Sequence, residues 1–146
     1  MSTQTQQQDG LLNQRSIAGI LVHPCALLTG GLAAIFIYVI ARHYYTKANA
    51  RNALNWYISV LVLFVIAFTT FFIGADELEV GGETIEWAIL PEPLGIIVSL
   101  IGVVLVLVAM LAMFATWIFS IVATIKAIFG TAWEYPLARS FIGKSE

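Results

Sequence analysis

Few side chains in this sequence could do chemistry, and they are unevenly spread. Asp76, Glu77, Glu79, Glu83, Glu86 and Glu92 crowd into one short stretch. Carboxylate oxygens suit hard divalent cations, but this spacing is not that of a calcium loop. A solvated acidic face is therefore expected rather than a defined metal site. His23 and His43 stand near opposite ends of one apolar stretch and cannot share a metal ion there, so His23 reads as a packing or interfacial residue. Cys25 has no second cysteine to pair with and reads as a small buried hydrophobe. No phosphate-binding glycine loop, HExxH pair or nucleophile elbow occurs. Neither a catalyst nor a cofactor is expected.

The elements that must position these residues are apolar. Hydrophobic residues make up 60% of the chain and charged ones 11%, against about 25% charged in an ordinary soluble domain. That deficit, concentrated in long uncharged stretches, predicts an integral membrane protein in contact with lipid. A net charge of −2 leaves no basic footprint for nucleic acid. Met1 to Gln8 is polar and uncharged, and the first basic residue is Arg15, so the start does not read as a cleaved signal. Met1 to Gly10 is expected to be a mobile tail.

Three hydrophobic segments predict an all-α fold with three transmembrane helices, at about 21–41, 52–73 and 94–129. Residues 1–16 form a polar tail, 17–129 the membrane domain and 130–146 a cytoplasmic interfacial tail. In the first segment, Pro24 suits a first helical turn, and Gly30 with Ala34 offers a small packing patch. Asn55, Trp56 and Tyr57 open the second, where Asn55 carries an amide that needs a partner inside hydrocarbon. No charge interrupts the chain between Glu92 and Lys126. Helix over that length reaches ~50 Å, beyond a ~30 Å core, so the third helix is expected to be tilted or bent and to project at one end. Gly102 is either its bend or a packing site.

Gly95, Gly102, Ala109, Thr116, Ala123 and Gly130 recur every seven residues along that helix, and Ala112, Thr116, Ser120 and Thr124 every four. Small residues let helices approach closely in lipid. The stripe serves either packing within one chain or a subunit interface, the latter implying a homo-oligomer or a larger membrane complex.

Charge gives an orientation. Arg42, His43, Lys47 and Arg51 separate the first two segments, while the acidic loop 74–93 separates the last two. The positive-inside rule puts the basic link and the C-terminus in the cytoplasm and the acidic loop outside. Three crossings of the cell membrane then place the N-terminus outside, which Arg15 weakly opposes. Gly81-Gly82 predicts a small hairpin in the acidic loop. Trp133, Tyr135, Leu137 and Phe141 suit a segment lying along headgroups, with Arg139 paired to Glu134 or to lipid phosphate.

Two motifs resemble a known family. Ala50-Arg51-Asn52-Ala53-Leu54-Asn55-Trp56 is similar to the start of the second helix in Tic20-like (DUF4870) membrane proteins. Ile125-Lys126-Ala127, Glu134-Tyr135-Pro136-Leu137 and Arg139-Ser140-Phe141-Ile142 resemble that family's C-terminal signature, and His23 matches a histidine near the start of its first helix. The resemblance implies a three-helix topology and marks His23, Asn55, Tyr135 and Arg139 as a candidate polar cluster. It suggests protein translocation only by analogy. The expected function is a non-enzymatic membrane accessory or scaffold subunit. The alternatives are a component of an oligomeric transport or translocation complex and a lipid- or pigment-binding module.

Overall fold

The computed structural model describes residues 15–143; the expected N-terminal tail over residues 1–10 lies outside them. The elements run α1 (Ile17–Thr29), α2 (Leu32–Ile40), α3 (Tyr44–Gly74), β1 (Glu77–Val80), β2 (Glu83–Glu86) and α4 (Leu94–Ile128). They fall into two compact units. One contains the described residues up to Ser59 together with those from Phe114 onward; the other is Val60–Met113.

In the first unit the expected helix over 21–41 is two short ones. Gly30 and Gly31 both take left-handed φ, 63° and 93°, a conformation that is cheap only for glycine. Gly30 closes α1, and the Gly31 amide donates to the Ala26 carbonyl at 2.7 Å. Ser16 opens α1 by accepting from the Gly19 amide at 3.0 Å. This early start puts Pro24 inside the helix instead of its first turn. The break also separates Gly30 from Ala34, so the two do not form one helix patch. With 13 and 9 residues, α1 and α2 measure roughly 20 and 14 Å. Each falls short of the ~30 Å hydrocarbon core.

The partners of α1 show its direction. Ser16 hydrogen-bonds Thr46, Gly19 lies against the Tyr45 ring, His23 reaches Asn49, and Gly31 sits on Tyr57. From Gly19 onward the numbers rise together, so α1 runs parallel to the first turns of α3. The chain must then return through α2 to begin α3 at Tyr44. Together α1 and α2 make a helical hairpin with Gly30–Gly31 at its tip. Arg15 Nη1 donates to the Ile128 carbonyl at 3.0 Å, which puts the start of α1 beside the end of α4.

The helix α3 begins at Tyr44, well before the expected 52, and absorbs part of the basic link. Tertiary packing decides this: Tyr45, Ala48, Asn49, Ala50 and Ala53 are all buried. At 31 and 35 residues, α3 and α4 reach about 46 and 52 Å, and both are long and apolar enough to cross a membrane. The protein is therefore a membrane-associated helical protein. Large apolar side chains such as Leu28, Phe36, Leu111 and Phe114 point outward, as a lipid-facing surface requires.

In the second unit glycines bring two backbones together. A Cβ on Gly74 would come 2.2 Å from the Ser99 amide nitrogen, and one on Gly102 would come 2.4 Å from Phe71 Cα. Gly102 is thus a packing site within an unbroken helix. Beyond α3, β1 and β2 pair antiparallel across Gly81–Gly82, whose φ values of 64° and 88° fit a two-residue type I′ turn. The hairpin is anchored through Trp87: its amide donates to the Asp76 carbonyl at 2.7 Å and its Nε1 to the Phe72 carbonyl at 3.0 Å.

Gly102→Ala separates these effects. Alanine favours helix by about 1 kcal/mol, but its methyl group meets backbone that cannot rotate away, an overpacking cost of about 1–3 kcal/mol. A lower melting midpoint in detergent is expected; a raised midpoint would show that the close approach is absent.

Candidate functional site

The candidate polar cluster lies in the first unit and is organised around His23. This residue is fully buried on α1, so both ring nitrogens need partners. Asn49 and Tyr135 provide them. Asn49 donates through Nδ2 to the Tyr45 carbonyl at 2.9 Å, which turns its Oδ1 toward His23 Nε2, 3.0 Å away. An amide oxygen only accepts, so Nε2 carries the proton. Nδ1 of the neutral ring therefore accepts, and its partner is the Tyr135 hydroxyl at 2.9 Å. The Tyr45 hydroxyl in turn donates to the Ala127 carbonyl. One chain of hydrogen bonds thus joins α1, α3, α4 and the segment that follows α4.

That segment is folded back on the helices. It leaves α4 at Gly130, at φ 82°. Asn52 Nδ2 donates to the carbonyls of Ala132 and Trp133 at 3.3 and 3.1 Å. Tyr135 stacks on Trp56, with centroids 5.8 Å apart and 12° between planes. Trp56 Nε1 donates to Thr116 Oγ1 at 2.9 Å, and Phe119 meets the Trp56 ring edge-on at 5.0 Å. Asn55 finds its partners in backbone: Oδ1 accepts from the Phe141 and Ile142 amides at 3.1 and 2.8 Å, and Nδ2 donates to the Ile142 carbonyl at 3.3 Å. Tyr135 is buried among these groups instead of lying along headgroups.

His23 and Tyr135 are therefore in direct contact, and Asn55 holds the same segment further along. Arg139 joins only through its amide, which donates to Ser59 Oγ at 2.9 Å; its side chain is exposed. The sequence-derived cluster left out Tyr45, Asn49, Asn52 and Trp56, the last two of which stood only within the motif at the second segment. Their helical spacing on one face was the available signal, but Tyr45 and Asn49 fell within a stretch read as a link. Among the small residues, Gly95, Gly102, Ala109, Thr116, Ala123 and Gly130 are all buried within the single chain. Ser120 is buried too, while Ala112 and Thr124 are half-buried. Thr124 donates to the Ser120 carbonyl at 2.7 Å.

This arrangement clamps the chain to itself. Its groups are neutral, and among the described residues no three His, Cys, Asp or Glu side chains gather to hold a metal ion. The carboxylates are instead displayed on the hairpin. The register pairs Glu77 with Glu86 and Glu79 with Thr84. Directly paired residues share a face, so Glu77, Glu79, Glu86 and Thr84 lie on one side and Leu78, Val80, Glu83 and Ile85 on the other. Leu78 helps line an apolar groove with Phe64, Phe68 and Phe72, which turns the glutamate-rich face away from α3.

Long apolar helices, a self-clamped polar cluster and an acidic hairpin make up a small helical membrane protein. Residues 13–142 match the model of the magnetosome magnetite crystal formation protein family, and the chain belongs to that family. No curated protein and no solved structure gives a match. The family match overturns the Tic20-like (DUF4870) assignment, and the translocation analogy falls with it. It spans both motifs behind the earlier resemblance. In the fold, Asn55 and Tyr135 from those motifs tie α3 to the C-terminal segment.

Burial pushes the Tyr135 phenol well above its ordinary value, keeping it protonated as the donor to His23. A phenol favoured in its neutral folded form stabilises the fold fully below the unfolded value near 10. That contribution is lost as pH rises further, toward the raised folded value. Melting in detergent should therefore show falling stability above about pH 10, with a smaller fall in Tyr135→Phe. Identical slopes would remove Tyr135 as the cause.

Proposed function

We propose that this chain is a non-enzymatic membrane accessory protein that holds an acidic hairpin against the surface of a forming magnetite crystal. The observation that carries the reading is the strand register, which aligns Glu77, Glu79 and Glu86 on one outward face. Their Cβ atoms are spaced by ~5 Å across the strands and ~7 Å along them. Carboxylates spread in this way do not close around one ion. They suit an extended surface of iron cations, where many weak contacts add up. The magnetite crystal formation family supplies the mineral. Assembly with further copies or with a larger membrane complex would set several hairpins over one crystal face.

The topology belongs to the same proposal. α3 and α4 cross the membrane, while α1 and α2 enter and return, so both termini face the cytoplasm and the acidic hairpin faces the compartment holding the crystal. The contact of Arg15 with Ile128 supports this. So does the charge pattern: Arg15, which opposed three crossings, joins Arg42, Lys47, Lys126 and Arg139 on the cytoplasmic side.

Replacing Glu77, Glu79 and Glu86 together with glutamine should weaken adsorption of the purified protein to magnetite particles at least tenfold, with Glu83→Gln nearly silent. Equal adsorption by the triple variant would sink the mineral-facing role. In a Cys25→Ser background, an impermeant maleimide should label Ser2→Cys and Gly143→Cys from one side and Thr84→Cys from the other. Labelling of Ser2→Cys together with Thr84→Cys would restore three crossings.

A further inference from the structure

Arg51 is a buried cation that the clamp does not use. Only 8% of it is exposed, and its one hydrogen bond among the described residues is a long one, Nη2 to Asn52 Oδ1 at 3.4 Å. A guanidinium has five N–H donors, and no Arg51 nitrogen is both sealed from solvent and without a partner, so the donors not given to Asn52 open onto the space beside them. Arg51 lines a small pocket of about 70 Å³ together with Asn52, Asn55, Tyr135 and Ser140. The two asparagine amides are committed to the backbone of the C-terminal segment, which makes them rigid walls. Glu134 also lines the pocket, but it is exposed, where water screens its charge.

We propose that this pocket binds a phosphate group, carried by a lipid headgroup or free in solution, with the Arg51 guanidinium as its principal donor. The volume accommodates a group of roughly two waters' size, and planar guanidinium binds phosphate oxygens in pairs. Arg51 precedes the apolar run of α3, at the level where headgroups are expected. Leu137 and Phe141, next in sequence to the lining residues Ala138 and Ile142, are exposed apolar side chains.

The test uses the full chain in detergent, titrated with dioctanoyl phosphatidylglycerol, with dioctanoylglycerol, and with inorganic phosphate. The phosphate-bearing lipid should bind and the diacylglycerol should not. Arg51→Gln should weaken binding about tenfold or more, and Arg51→Lys less. Ser140→Asp changes an exposed rim residue and should also weaken binding, even where Arg51→Gln fails to fold. Displacement of the lipid by millimolar phosphate assigns the site to free phosphate; its absence assigns the site to the headgroup. Equal binding of phosphatidylglycerol and diacylglycerol, or binding unchanged in both Arg51→Gln and Ser140→Asp, would overturn the proposal.

Discussion

A histidine with no access to solvent must find a partner for each ring nitrogen, and the first unit is arranged around meeting that demand for His23. Asn49 and Tyr135 come from a helix and from a non-helical segment far apart in the chain. Satisfying the ring therefore draws three parts of the molecule together. Tyr135 reaches His23 only if the chain after α4 doubles back, and Asn52 and Asn55 hold it there by bonding its backbone. Such a segment could not lie in an apolar setting otherwise, since its peptide groups would be left without partners.

The same constraint explains why the first apolar stretch is hairpinned. A straight helix through Gly30–Gly31 would carry α2 away from the start of α3. Two left-handed glycines at the break reverse it, and the short helices bury Val22, Ala26 and Ala34 while Leu28, Phe36 and Val39 face outward. Small residues serve a related purpose in the second unit. Gly74 and Gly102 let backbone meet backbone, and the turn at Gly81–Gly82 pairs the two acidic strands, with Leu78 and Trp87 set against the last turns of α3. A two-residue turn fixes the register of the strands, and with it the face on which Glu77, Glu79 and Glu86 stand.

Local motifs and the whole chain point to different relatives, and the fold explains the conflict. Ala53-Leu54-Asn55-Trp56, about three turns into α3, and Tyr135-Pro136 in the C-terminal segment are packing partners, with Asn55 bonding the backbone of that segment and Tyr135 stacking on Trp56. The family match draws on residues 13–142 as a whole and so outweighs two short stretches.

Membrane character, the two long helices, the glycine turn and the acid–base asymmetry of the loops were all legible in the sequence, because each depends on local composition or on a period within one element. The spacing of Gly95 through Gly130 was legible too, though not whether the chain itself or another copy would cover it. The break at Gly30–Gly31, the early start of α3 and the partners of His23 were decided only by tertiary structure. Glycine permits a left-handed turn without requiring one, and a polar residue shows that it needs a partner without naming it. Asn49 looked like part of a link until a histidine twenty-six residues earlier was found against it. Which face of the hairpin carries the glutamates was decided in the same way, by a register that one residue of slippage would have reversed.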